Sequence, residues 1–170
     1  SGSMKLLHLS DLHLGKKLNE FSLYEDQKYI LQRIVQMICA KQPDCVLLAG
    51  DIYDKPVPPA EAVVLFDNFL NQLAELKVPV CIISGNHDSA ERLAFGAQLM
   101  SSSGVHFAGS YNGQPQQLVL EDEFGKVNIF LLPFLKPAVV KHWAPEEAAA
   151  EISSYHDAVK YAVSQLPLAQ

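Results

Sequence analysis

Apolar residues follow two rhythms along this chain. Short continuous runs, Leu6-Leu7 with Leu9, Cys45 to Ala49 and Val78 to Ile83, stop abruptly at Ser10-Asp11, Gly50 and Ser84-Gly85. Runs without alternation mark strands buried on both faces. Between them the apolar spacing changes to three and four. Ile30, Leu31, Ile34, Val35 and Ile38 predict an amphipathic helix from Tyr24 to Lys41, stopped by Pro43. Pro58-Pro59 opens a second, on which Phe66, Phe69, Leu70, Leu73 and Leu76 share a face. Asp88 and Glu91 have capping-box spacing, so a third helix is expected right after Asn86-His87, with Asp88 as its N-cap. The series β-α-β-α-β-α predicts an α/β protein with a parallel sheet between helices.

After Ser101 the pattern changes. Val105 to Ala108, Leu118 to Leu120 and Val127 to Leu132 read as strands with no long helix between them, and Phe124-Gly125 as a hairpin turn. Pro145-Glu146-Glu147 starts a helix that is expected to run unbroken through Ala148 to Gln165.

Composition narrows the chemistry. A chain of 170 residues is enough for one core. Its formal charge of -6 argues against holding nucleic acid by a general basic field, so a phosphate-bearing ligand must be met locally, by helix ends or metal ions. Cys39, Cys45 and Cys81 form no C-x-x-C, lie in apolar runs and read as core thiols. The first apolar run is too short for a signal peptide or a membrane span. A cytoplasmic protein without membrane contact is expected.

The chemistry-bearing residues cluster at the ends of the first three strands: Asp11-Leu12-His13, then Gly50-Asp51-Ile52-Tyr53-Asp54, then Gly85-Asn86-His87-Asp88. In an open parallel sheet these ends share one edge, where ligands bind. On an extended backbone Asp11 and His13 would point the same way, with Leu12 turned into the core. Gly50 and Gly85 are expected to let the chain bend sharply. Carboxylate, imidazole and carboxamide donors together suit manganese, iron or zinc rather than calcium. Asp51, at the central strand end, is the candidate bridge between two ions. Asp54 reads either as a hydrogen-bond partner of a neighbouring ligand or as a turn cap, and Asp88 also orients the loop of His87. Lys16, Lys17 and Arg92 are candidate contacts to the phosphates of a ligand, although solvated charges explain them better.

These three clusters resemble the first three motifs of the calcineurin-like binuclear metallophosphoesterases. Ser10-Asp11-Leu12-His13-Leu14-Gly15, Gly50-Asp51-Ile52-Tyr53-Asp54, Gly85-Asn86-His87-Asp88-Ser89 with Arg92-Leu93, and Leu132-Pro133-Phe134-Leu135-Lys136-Pro137 are similar to the SbcD family of DNA repair exonucleases. The resemblance implies a layered α/β/β/α fold, with Asp11 and His13 on a first metal, Asp51 bridging and Asn86 on a second. It implies His87 as the catalytic group facing the phosphate, manganese as the usual ion (magnesium, iron or zinc being possible), and in-line attack on a DNA phosphodiester. An SbcC-like ATPase and a second copy of the chain are the implied partners. The family pattern continues with a lone His and a Gly-His-x-His, which this sequence lacks. The expectation is therefore a cloning remnant at residues 1–3 and, at 4–170, the N-terminal portion of a nuclease domain, truncated on its C-terminal side. Such a fragment would be inactive or weakly active. A metallophosphoesterase acting on small phosphoesters or phosphoproteins, and a non-catalytic binding module, are the alternatives.

Overall fold

β1 (Leu6–Leu9) leads, through the small hairpin of β2 (Lys17–Leu18) and β3 (Phe21–Ser22), into α1 (Tyr24–Lys41). Two further strand-helix units follow, β4 (Cys45–Ala49) with α2 (Ala60–Glu75) and β5 (Val80–Ile83) with α3 (Ala90–Leu99). β6 (Val105–Ala108) precedes the antiparallel pair β7 (Gln116–Asp122) and β8 (Gly125–Leu131), and α4 (Pro137–Trp143), α5 (Glu146–Ala149) and α6 (Tyr155–Ser164) end the chain. A computed structural model describes residues 2–168, and of residues 95, 97–99 and 102 the backbone alone.

β1, β4, β5 and β6 form one parallel sheet in that order. Leu9 pairs with Leu48, and Leu48 with Ile82, so the strands end level and the residues after them emerge along one edge. The alternate side chains explain why β4 and β5 are apolar throughout, whereas β1, expected to be buried as well, lies at the sheet edge with Leu6 and His8 exposed. Val46, Leu48, Val80 and Ile82 pack under α1 and α2, against Leu31, Ile38, Phe66, Phe69 and Leu73. Cys45, Leu47, Cys81 and Ile83 face the other way and meet Leu118, Leu120, Ile129 and Leu131 of the β7–β8 hairpin. Helices, parallel sheet and antiparallel hairpin thus lie in layers. A further apolar cluster, including Leu135, Val140, Ile152 and Ala158, ties α4 to α6.

Several expectations are corrected. The helix expected from Ala148 to Gln165 is two helices: Ile152 is buried between them, and Ser154 begins α6 with a capping box closed by Asp157. α4, with Pro137 at its start, and the β2–β3 hairpin have no counterpart in the apolar pattern. Leu76 and Ile30 are exposed, one at the helix cap and one on the outer side of α1. Cys39 is also exposed, because it sits one position round the helix from the buried Ile38. Cys45 and Cys81 are the core thiols, with their sulfurs 3.6 Å apart. Among the described residues no helix is long and apolar enough to cross a membrane.

Candidate metal centre

The loops after β1 and β4 are joined by their backbones. Asp11 N–H donates to the Gly50 carbonyl at 3.3 Å, His13 to Asp51 at 3.0 Å and Leu14 to Ile52 at 2.8 Å, and Asp54 N–H returns to Leu14 at 3.0 Å. Leu14, Ile52 and Tyr53 are buried beneath and anchor this junction. The backbone here is not extended. Asp11, His13 and Asp51 have φ of 57°, 46° and 50°, the left-handed region that side-chain-bearing residues seldom adopt. Asp11 and His13 therefore meet because the β4 loop holds both peptides, with Leu12 packed partly into the core.

Gly50, at φ 82°, supplies the bend expected of it. Gly85 serves close approach instead: a Cβ there would lie 2.5 Å from Asp51 Oδ1 and 2.6 Å from Asp51 N. Asp88 fastens the same two loops, since Oδ2 accepts the Gly85 N–H at 2.7 Å and Oδ1 accepts the Tyr53 N–H at 3.2 Å. Its carboxylate is thus committed to the loops rather than to α3, which begins two residues later.

The side chains converge as a result. His13 Nε2 lies 3.6 Å from Asp11 Oδ1 and 3.9 Å from Asp51 Oδ2, and its ring centroid is 6.0 Å from that of His87. Asp51 is the most sheltered of the carboxylates here and receives His87 twice: the backbone N–H reaches Oδ1 at 3.2 Å, and Nδ1 stands 3.2 Å from Oδ2. Burial pushes the Asp51 carboxyl up, but the two His87 hydrogen bonds and the charges of His87 and His13 outweigh it and hold it below the usual carboxylate range.

Asp11, His13 and Asp51 each offer a ligand atom within 4.8 Å of the others, close to the span of two opposed metal bonds of about 2.0–2.2 Å. The charge also fits, because two carboxylates face a shared space with an imidazole. A further sign is His13 Nδ1, which is buried without a hydrogen-bond partner while Asp54 Oδ1 stands 3.5 Å away. A histidine that gives one nitrogen to a cation commonly turns the other toward a carboxylate. The residues present fit a divalent cation.

Asn86 is exposed on the turn after β5 and lines a cavity beside it. Lys16, Lys17 and Arg92 are exposed, Lys16 just before the β2–β3 hairpin and Lys17 at its first position. One residue of the site has no counterpart among the motifs. Gln27 Nε2 donates to the carbonyls of His13 at 2.9 Å and Leu12 at 3.4 Å, and Oε1 accepts the Gly15 N–H at 3.1 Å. Its signal in the sequence is slight: Gln27 falls on the stripe of Leu31, Ile34 and Ile38 and is the polar residue in an apolar row.

A calcineurin-like phosphoesterase family model matches residues 4–158. The chain is 35% identical, over 164 residues, to SbcD, the nuclease component of SbcCD, from Staphylococcus epidermidis. That match covers 96% of this chain and 42% of the relative, so the chain spans less than half of that protein's length.

Proposed function

The chain belongs to the calcineurin-like phosphoesterase family, and from that premise we propose that it is part of a metal-dependent nuclease that hydrolyses DNA phosphodiesters. The observation that carries this reading is the convergence of Asp11, His13 and Asp51 at one sheet edge, with His87 docked on Asp51. The likeness to a nuclease supports DNA over small phosphoesters as the substrate.

In this reading Asp11, His13 and Asp51 hold one divalent ion, and Asp51 and Asn86 share a second. Manganese is the proposed metal. Bound ions would supply Lewis-acid stabilisation of charge on the phosphoryl oxygens and a nucleophile at neutral pH. The protein's own groups do the rest. Asp54 sets the orientation of the His13 ring. Asp51 holds His87 through Nδ1, which would leave Nε2 of the half-exposed ring to protonate the leaving oxygen. Lys16, Lys17 and Arg92 would hold flanking phosphates.

We propose further that residues 4–170 are the N-terminal portion of a nuclease domain, in a cytoplasmic protein that works as a homodimer with an SbcC-like ATPase. With two protein donors for the second ion, this chain alone would hydrolyse DNA weakly. The test compares manganese-dependent cleavage of a labelled oligonucleotide and of a small phosphodiester by this chain, its Asp51→Asn variant and a longer protein containing it. Weak cleavage by the chain, strong cleavage by the longer protein and none by Asp51→Asn are expected. Preference for the small ester would overturn the DNA assignment, and robust cleavage by the chain alone would overturn its weakness.

A further inference from the structure

A cavity of about 200 Å³ opens beside the turn that carries Asn86, with Gly85, Ser110, Tyr111, Phe134 and Lys136 also in its walls. Phe134 is unusual among them. Its neighbours Pro133 and Leu135 are buried, and its backbone N–H donates to the Ser84 carbonyl at 3.0 Å, which ties this segment to the end of β5. The Phe134 ring alone turns outward, 38% exposed, and meets Tyr155, 58% exposed, at a centroid distance of 5.5 Å. An aromatic ring held in solvent between two buried neighbours, as Phe134 is, is not explained by core packing. Lys136 is exposed, two residues along.

The cavity is smaller than the roughly 300–1,000 Å³ of sites for drug-sized ligands, which limits it to about one ring system. Glu91 also lines it, so a bare anion is disfavoured and a flat neutral ring is preferred. An aromatic surface with a nearby cation is how proteins hold single-stranded nucleic acid. We propose that this cavity is a nucleobase subsite: it takes one unpaired base of the DNA strand, stacked on Phe134, with an adjoining phosphate at Lys136. The subsite rests on the nuclease reading above and adds to it that the strand enters with a base out of its stack.

The test uses this chain with magnesium and a single-stranded oligonucleotide carrying 2-aminopurine, whose fluorescence is quenched by stacking; anisotropy of an end label reports binding separately. Binding should quench the probe. Phe134→Ala and Phe134→Leu should lose the quench and weaken binding about tenfold, within the range that base–aromatic stacking contributes. Phe134→Trp should keep both, and Lys136→Ala should weaken binding while keeping the quench. Unchanged quench and affinity in both Phe134→Ala and Phe134→Leu would overturn the subsite and leave the nuclease reading standing. If the wild-type chain binds no oligonucleotide, the subsite falls, while the nuclease reading stands or falls by cleavage in the longer protein.

Discussion

The side-chain amide nitrogen of Gln27 lies 2.9 Å from the carbonyl oxygen of His13, and this contact joins the first turn of α1 to the loop that holds the candidate ligands. With the bond to the Leu12 carbonyl at 3.4 Å it holds both peptides of the left-handed His13. Gln27→Ala should therefore weaken manganese binding by about ten- to a hundredfold, the range seen when groups supporting a ligand are removed. Titration calorimetry measures it, and circular dichroism of the metal-free variant should show an intact fold.

Gly85→Ala places a methyl group against the Asp51 backbone and carboxylate, where neither can retreat without breaking the β4–β5 junction. The expected cost is about 1–3 kcal/mol in urea denaturation, together with loss of the His87–Asp51 contact. An alanine variant as stable as wild type would show that the loops separate freely.

Asp88→Ala leaves the N–H groups of Gly85 and Tyr53 without their acceptor. Denaturant melts should show a loss of about 2 kcal/mol. Asp88→Asn keeps one acceptor oxygen and should fall between the two.

Bound metal should stabilise the fold. At a hundredfold excess over its dissociation constant, a ligand that binds only the folded state adds about 2.7 kcal/mol. Thermal melts should rise on adding manganese, return with a chelator and fail to rise in Asp51→Asn.

Asp157 Oδ2 accepts hydrogen bonds from the Ser153 backbone, the Ser153 hydroxyl and the Ser154 backbone, and these, with the Ser154 hydroxyl beside it, hold its carboxyl below the usual range. A carboxyl whose folded pKa is lowered stabilises fully above its unfolded pKa of about 3.9, and that stabilisation disappears as the pH falls through the folded value. Melts of wild type against Asp157→Asn should therefore differ at neutral pH and converge in acid.

β4, β5 and their ligand-bearing ends were legible in the sequence because a strand covered on both faces must be apolar along its whole length, and the polar residues at its end then stand out; β1, an edge strand with Leu6 and His8 exposed, was legible from its leucines alone. α1 and α2 were legible for the related reason that one face is buried at helical spacing. The division between α5 and α6 was also written locally, in Ser154 and Asp157, but the helix propensity of the surrounding alanines and glutamates obscured it. What only the tertiary structure decided is the geometry of the site. Asp11 and His13 look extended from their spacing alone, and they are left-handed because Gly50 and Asp51, about forty residues away, offer their carbonyls. Gly85 is needed for Asp51, Gln27 for His13, and Phe134 faces solvent because both its neighbours are buried. Residue types declare their chemistry locally, whereas distances between them follow from long-range backbone bonds that leave no periodic trace in the chain.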